Sequence, residues 1–273
     1  MSDVPTIALN DGTTIPQLGF GVWQVSTDDI VPAVRTALEV GYRHIDTAAI
    51  YGNEEGVGRA IQESGIPRNE LYVTTKLWNT RHREAVAAAE ESLAKLGLDH
   101  VDLYLVHWPS PAVGDHVAAW QGLQEVKAKG LATSIGVSNF APQHLDAAIE
   151  ATGVVPVVNQ IELHPTFAQR DMVAYNQSLN IATEAYSPLG LSKDLSHPVI
   201  AETAAQVGRT AAQVVLRWHL QHGTIVFPKS ITPSRIAENF ALFDFELDND
   251  QMSRIDSVDE GNRIGSDPVT ATF

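Results

Sequence analysis

Eight short apolar runs rich in β-branched residues recur along the chain, mostly about 25–32 residues apart, and helical stripes fill the gaps. The runs are Leu18–Val22, Arg43–Asp46, Leu71–Thr75, Asp102–Val106, Thr133–Val137, Val157–Gln160, Ile181–Glu184 and Thr224–Phe227. Among the stripes, Ile30, Val34 and Leu38 recur every fourth residue before Gly41. Val86, Ala89, Leu93 and Leu96 precede Gly97, and Thr210 with Gln213 forms a capping-box pair ahead of Val214, Val215 and Trp218, with Gly223 as the stop. A stripe on one face suits a helix that covers a sheet and meets water on its other side. Strand–helix alternation implies parallel strands joined by right-handed crossovers. Eight such units fit a closed (β/α)8 TIM barrel better than the rival, an open doubly wound sheet. An N-terminal β-hairpin is predicted from Thr6–Leu9 and Thr13–Pro16 around Asn10-Asp11-Gly12. No composition shift or low-complexity tract marks a second domain, so residues 1–273 are expected to form one barrel domain. The longest interruption, Ser187–Gly208, is expected to supply an extra loop over one end.

Charge narrows the function. The 18 Lys+Arg against 33 Asp+Glu give a formal charge of −15, which argues against nucleic-acid binding, since that needs a basic stripe to displace counterions. The chain has no cysteine, which excludes disulfides, thiolate metal sites, iron–sulfur clusters and a cysteine nucleophile. The start, MSDVPTIALND, has neither the cationic nor the apolar region of a signal peptide, and no apolar run approaches the ~20 residues that span a bilayer. A soluble, cytoplasmic protein is expected, and a monomer is the working assembly.

In a parallel barrel the chemistry sits at the carboxyl ends of the strands, where the loops converge on the open mouth. Reading only those positions yields Asp46 with Tyr51 five residues on, then Lys76, His107, Ser138-Asn139, Gln160, Tyr186-Ser187 and Lys229-Ser230. Two of only six lysines therefore terminate apolar strands. Lysine is almost never fully buried unpaired, so each needs a carboxylate or an anionic ligand. For Lys76 the plain reading is a pair with Asp46 that closes the barrel top. The functional reading adds Tyr51: a neighbouring ammonium favours the phenolate and so makes the phenol a better proton donor to a carbonyl oxygen gaining charge. Asp46 would keep Lys76 protonated, and His107 would orient the carbonyl. Alone, His107 reads as a hydrogen-bonded structural histidine; beside Asp46, Tyr51 and Lys76 it reads as part of a site.

The last run carries a second signal. Phe227-Pro228-Lys229-Ser230 is followed by Thr232-Pro233, an N-cap residue and a proline at the first helical position. A helix amino terminus then opens after Lys229, with Arg235, Glu238 and Asn239 on its early turns, and Arg235 and Asn239 four apart on one face. Free N–H groups, the helix dipole and two cations make a phosphate site, unless Lys229 and Arg235 are merely solvated charges. Metal chemistry has little support: there is no H-E-x-x-H, and Glu162-Leu163-His164 lacks an evident third ligand. The strand ends do not offer the paired acids of glycoside hydrolysis either.

Seven segments resemble motifs of the aldo-keto reductases, in order and spacing, over nearly the whole chain. They are GYRHIDTAAIYGNEEGVG (Gly41–Gly58), TTKLW (Thr74–Trp78), VDLYLVHWP (Val101–Pro109), IGVSNF (Ile135–Phe140), NQIELHP (Asn159–Pro165), AYSPLG (Ala185–Gly190) and FPKSITPSRIAEN (Phe227–Asn239). Within that family the chain is most similar to bacterial 2,5-diketo-D-gluconate reductase-like members. The resemblance implies NADPH-dependent reduction of aldehydes or ketones, including α-dicarbonyls or keto-sugars, by a tetrad of Asp46, Tyr51, Lys76 and His107 with Tyr51 as general acid. It implies that Ser138, Asn139 and Gln160 bind the carboxamide, Tyr186 stacks on the nicotinamide, and Ser187 and Leu189 line the pyrophosphate path. Lys229, Ser230, Thr232 and Arg235 would take the 2′-phosphate, with Glu238 and Asn239 on the adenine. Trp23, Trp78, His107 and Trp108 fall at substrate positions. The segments after Pro109 and Asp256 are short for the family, which implies an open, permissive pocket. Two alternatives stay in view: a Schiff-base aldolase with Lys76 as nucleophile, and a cofactor-binding regulatory subunit with little turnover.

Overall fold

The predicted alternation closes into a ring. In the computed structural model, residues 4–110, 112 and 115–273 are described; the first three residues and part of the short segment after Pro109 lie outside them. A hairpin of β1 (Thr6–Ala8) and β2 (Thr14–Pro16) comes first. Eight parallel strands follow: β3 (Phe20–Gly21), β4 (His44–Asp46), β5 (Tyr72–Leu77), β6 (Val101–Val106), β7 (Ala132–Ser138), β8 (Val158–Glu162), β9 (Ala182–Tyr186) and β10 (Ile225–Val226). They pair in sequence order, and a parallel bridge between Leu18 and Val226 joins the two ends. Gly19 N donates to Val226 O at 2.9 Å and Val226 N to Gln17 O at 3.0 Å, so the sheet has no open edge there. The expected run Leu18–Val22 is divided by this closure: Leu18 pairs with β10 and Phe20–Gly21 with β4.

The helices are α1 (Ile30–Val40), α2 (Glu54–Ser64), α3 (Ala85–Leu96), α4 (His116–Ala128), α5 (Pro142–Thr152), α6 (Arg170–Ser178), α7 (Pro198–Val207), α8 (Ala211–Gln221), α9 (Pro233–Phe240) and α10 (Asn249–Asp256). Their buried faces follow the predicted stripes: Ile30, Val34 and Leu38 on α1, Ala89, Leu93 and Leu96 on α3. Thr210 and Gln213 form the expected capping box on α8. Close packing has a local requirement at Gly58, where a Cβ would lie 2.1 Å from the Leu96 carbonyl oxygen, so α2 can pass the end of α3 only without a side chain there.

The interruption Ser187–Gly208 is more ordered than a loop. Two 3₁₀ turns, Gly190–Ser192 and Asp194–Ser196, lead into α7, which packs on α8. The true strand-to-helix loop is Ser187–His197.

The hairpin plugs the amino end of the barrel. Leu9 and Ile15 join Leu103, Leu105, Val158, Ile225 and Phe227 in one buried cluster. Asn10 Nδ2 donates to the carbonyls of Pro156 and Asn180 at 2.9 and 3.1 Å, just before β8 and β9 begin. With that end sealed, ligands can enter only at the carboxyl ends of the strands. Among the described residues no helix is long and apolar enough to cross a membrane.

Candidate active site

Register sets the site. Asp46, the last residue of β4, pairs with Thr74 on β5, and period-two alternation turns Thr74 and Lys76 to the same face. His107 directly follows β6, its N–H donating to Leu77 O at 3.1 Å. Tyr51 ends a short 3₁₀ turn, Ala49–Tyr51, just past β4. Four residues scattered over 62 positions of sequence thereby meet at one end of the interior.

Lys76 is 0% exposed, and its ammonium donates to Asp46 Oδ1 at 2.8 Å, Asp46 Oδ2 at 2.9 Å and Thr47 O at 2.8 Å. All three of its donors are thus engaged. The charge stands 5.3 Å from the Tyr51 ring centroid, and the Tyr51 and His107 rings meet edge-on at 5.8 Å. Burial pulls the Lys76 pKa down, but Asp46 and Tyr51 more than offset it, and the net direction is up. For Tyr51 the expected acidification is corrected: burial, the largest influence, raises the phenol above its ordinary value, although Lys76 works in the lowering direction. The reason is desolvation, which penalises the phenolate more than one ammonium already shared with Asp46 can repair. Burial, then Lys76, holds His107 well below the usual imidazole range, so it is neutral.

On the side expected to take the nicotinamide, the polar residues form one connected set. Ser138 Oγ donates to Gln160 O at 2.9 Å, and Asn139 Nδ2 donates to His107 O and Ser138 Oγ at 3.0 and 3.1 Å. Tyr186 OH donates to Asn139 Oδ1 at 2.8 Å, tying the expected stacking ring to the expected carboxamide reader. Asn139 and Ser187 hold left-handed backbone, φ 61° and 49°, an uncommon choice for non-glycine residues. Gln160 Nε2 donates to Asp46 Oδ2 at 2.9 Å and Glu184 Oε2 at 2.8 Å, which leaves its carbonyl oxygen as the end available to a ligand amide. Leu189 is half-buried against the core.

At the expected phosphate end, Lys229, Thr232 and Arg235 are exposed and Ser230 half-buried. Among the described residues neither Lys229 nor Arg235 has an ion-pair partner. Thr232 occupies the N-cap position of α9, but its side chain makes no capping bond, contrary to the usual role of that residue. The first turn of α9 is therefore left with unsatisfied N–H groups. Arg235 and Asn239 are four apart on α9, but they differ in burial: Arg235 is exposed, while Asn239 is 6% exposed. Glu238 accepts from Thr210 Oγ1 at 2.9 Å.

The mouth has an aromatic wall. Trp78 lies edge-on to His107 at 5.3 Å, while Trp23 stands 44% exposed. Phe273, which carried no signal in the sequence, comes between the other two tryptophans: parallel to Trp78 at 6.2 Å and edge-on to Trp108 at 5.1 Å. Its carbonyl accepts from Asn79 Nδ2 at 3.1 Å and Ser110 Oγ at 2.9 Å. The segment after Asp256, although short, thus brings an aromatic ring against the two tryptophans. Glu162-Leu163-His164 gains a third member, Asp194, but the three bond one another: His164 lies 3.2 Å from Glu162 and 3.1 Å from Asp194. Among the described residues no group of three His, Asp or Glu is arranged to hold a metal.

A closed eight-stranded barrel with a buried Asp–Lys pair against a tyrosine and a neutral histidine defines a class. The chain belongs to the aldo/keto reductase family, whose model matches residues 17–260. It is 51% identical over 270 residues, 98% of both chains, to methylglyoxal reductase DkgA of Escherichia coli (strain K12). Among solved structures, it is similar to a Gox0644 variant in complex with NADPH, with TM-score 0.95, 46% identity and full coverage of both chains. A Bombyx mori aldo-keto reductase in complex with NADP superposes with TM-score 0.91 at 40% identity, covering 96% of this chain and 95% of that one.

Proposed function

We propose that this chain is an NADPH-dependent reductase of small aldehydes and α-dicarbonyls, acting as a cytoplasmic monomer, with Tyr51 as the proton donor. The observation that carries the reading is the buried Lys76 ammonium, saturated by Asp46 and Thr47 and standing over the Tyr51 ring at the mouth. Family membership supports carbonyl reduction, and the relative named methylglyoxal reductase supports an α-dicarbonyl. One chain supplies every residue of the tetrad, which supports the monomer, and the acidic, cysteine-free composition is compatible with the cytoplasm.

The residues present fit the cofactor. Lys229, Arg235 and the uncapped amino end of α9 suit a 2′-phosphate. The Gln160 carbonyl oxygen, with Ser138 and Asn139, suits the carboxamide, and the tethered Tyr186 suits the ring. NADPH, when bound, supplies the hydride. Tyr51 gives its phenolic proton to the carbonyl oxygen as charge develops there. Lys76 stabilises the phenolate left behind, and Asp46 holds that ammonium charged and in place. Neutral His107 donates from one ring nitrogen only, which orients the oxygen. Trp78, Trp108 and Phe273 supply an aromatic wall beside His107 for an apolar part of the carbonyl compound.

The aldolase reading loses ground on the same geometry. An amine nucleophile must be neutral, whereas Lys76 is held charged and all its hydrogens are engaged. The test is NADPH oxidation against methylglyoxal, simple aldehydes and keto-sugars, with Tyr51→Phe alongside. Tyr51→Phe is expected to lose about 10²–10⁴-fold in kcat with its melting temperature retained. Full turnover by a folded Tyr51→Phe would remove the role assigned to Tyr51.

A further inference from the structure

Behind the Lys76–Asp46 pair lies a carboxyl group that the reaction as derived does not use. Glu184, in the middle of β9, is 0% exposed, and its Oε2 accepts from Gln160 Nε2 at 2.8 Å. The same nitrogen donates to Asp46 Oδ2 at 2.9 Å, so two carboxyl groups share one amide. Glu184 Oε1 is buried with no partner among the described residues. Its register neighbours are Gln160 on β8 and the apolar Ile225 on β10. Across the interior the charged and titratable groups it feels are Asp46 on β4 and Lys76 and Tyr72 on β5. The Tyr72 hydroxyl is likewise buried without a partner.

Lys76 has no hydrogen left for Glu184, since Asp46 and Thr47 take all three. An ionised Glu184 would therefore rest on one neutral hydrogen bond in a buried interior that already holds the Asp46 charge. Burial first, then Asp46, pushes its pKa up to about 8. The group is neutral at neutral pH and gains its charge only as the solution turns alkaline.

We propose that Glu184 is a positioning residue for the reduction, a buried carboxyl that acts behind Asp46 and Lys76 to hold the active-site proton in place at alkaline pH. The proposal rests on Tyr51 as proton donor. A negative charge arriving on Glu184 opposes proton loss from the coupled Tyr51–Lys76 pair, whichever of the two releases it. The alkaline limit of reduction is thereby extended, and oxidation of the alcohol, which needs the phenolate, is suppressed over the same range.

The experiment is the pH profile of kcat/KM for reduction in the native enzyme, Glu184→Gln and Tyr51→Phe. At about pH 6, native enzyme and Glu184→Gln should agree within about twofold, while the variant's alkaline limb moves toward acid by about one pH unit. Superposable limbs, or a loss equal at every pH, would overturn the proposal. Tyr51→Phe separates the two readings: if it keeps turnover, the proton-donor assignment fails whatever Glu184 does. ¹³C-glutamate NMR of the cofactor-free native protein gives a second readout that needs no variant. One glutamate carboxyl still protonated at about pH 7 supports the proposal, and full ionisation of every glutamate by about pH 6 overturns it.

Discussion

The ammonium of Lys76 stands 5.3 Å from the centroid of the Tyr51 ring while it donates to both oxygens of Asp46 and to Thr47 O. Its charge and its hydrogen bonding both work to lower the Tyr51 pKa, against the larger effect of burial. An ammonium so placed matters most when charge appears on the phenol, and least in the resting state, where Tyr51 keeps its proton.

Removing one member of the buried pair is expected to be costly. Asp46→Asn leaves the buried Lys76 ammonium without its counter-charge, a loss of about 3–5 kcal/mol. Lys76 would then fall below its unfolded pKa, and the variant would become more stable relative to native as pH rises and the amine sheds its proton. Denaturant melts across the neutral to alkaline range check both the size and the direction.

Arg235→Ala is expected to raise the KM for NADPH by about tenfold or more while changing that for NADH little, since only the former carries the extra phosphate. Equal losses for the two cofactors would separate Arg235 from the 2′-phosphate.

His164 joins the end of β8 to the loop after β9. Its ring nitrogens face Glu162 and Asp194; Asp194 also accepts from Thr166 N, and Glu162 accepts from the backbone of Ile264 and Gly265. Burial works against charge on His164, but the carboxylates prevail and its pKa is raised. A raised pKa means stabilisation fully present below the ordinary imidazole range and lost as pH climbs through the folded value. For Glu162 and Asp194, burial raises and hydrogen bonding more than reverses it, so their pKa values are lowered and their contribution disappears only in acid. His164→Asn should cost about 3 kcal/mol at mildly acid pH, with the gap to native closing toward alkaline pH in thermal melts. A gap independent of pH would show that His164 is held neutral.

Phe273→Ala removes the ring between Trp78 and Trp108. The KM for bulky apolar carbonyls is expected to rise by about tenfold, roughly 1.4 kcal/mol of lost contact, while the smallest aldehydes change little. Steady-state kinetics over a size series of substrates reads this directly.

Much of the architecture was legible because periodicity is a local property. Alternating apolar residues mark a strand and four-residue spacing marks a helix before any tertiary contact exists, so the eight runs and Gly97 after α3 could be read in order. The positions of Asp46, Lys76, His107 and Ser138 at or next to strand ends followed from the same pattern, because parallel strands carry their carboxyl ends to one face; Gln160, expected to end its strand, lies in the middle of β8, which continues to Glu162. Glu184 is the register partner of Gln160, and its sequence marks it only as the end of an apolar run.

The residues alone determined which side chains reach the mouth of the barrel, since that depends on strand order and alternation. Only the tertiary structure decided what those side chains are: that burial outweighs Lys76 at Tyr51, that Thr232 leaves its helix uncapped, that Asn239 is buried, and that Phe273 closes on two tryptophans. Desolvation and side-chain contact depend on neighbours far apart in the chain, and no local pattern records them.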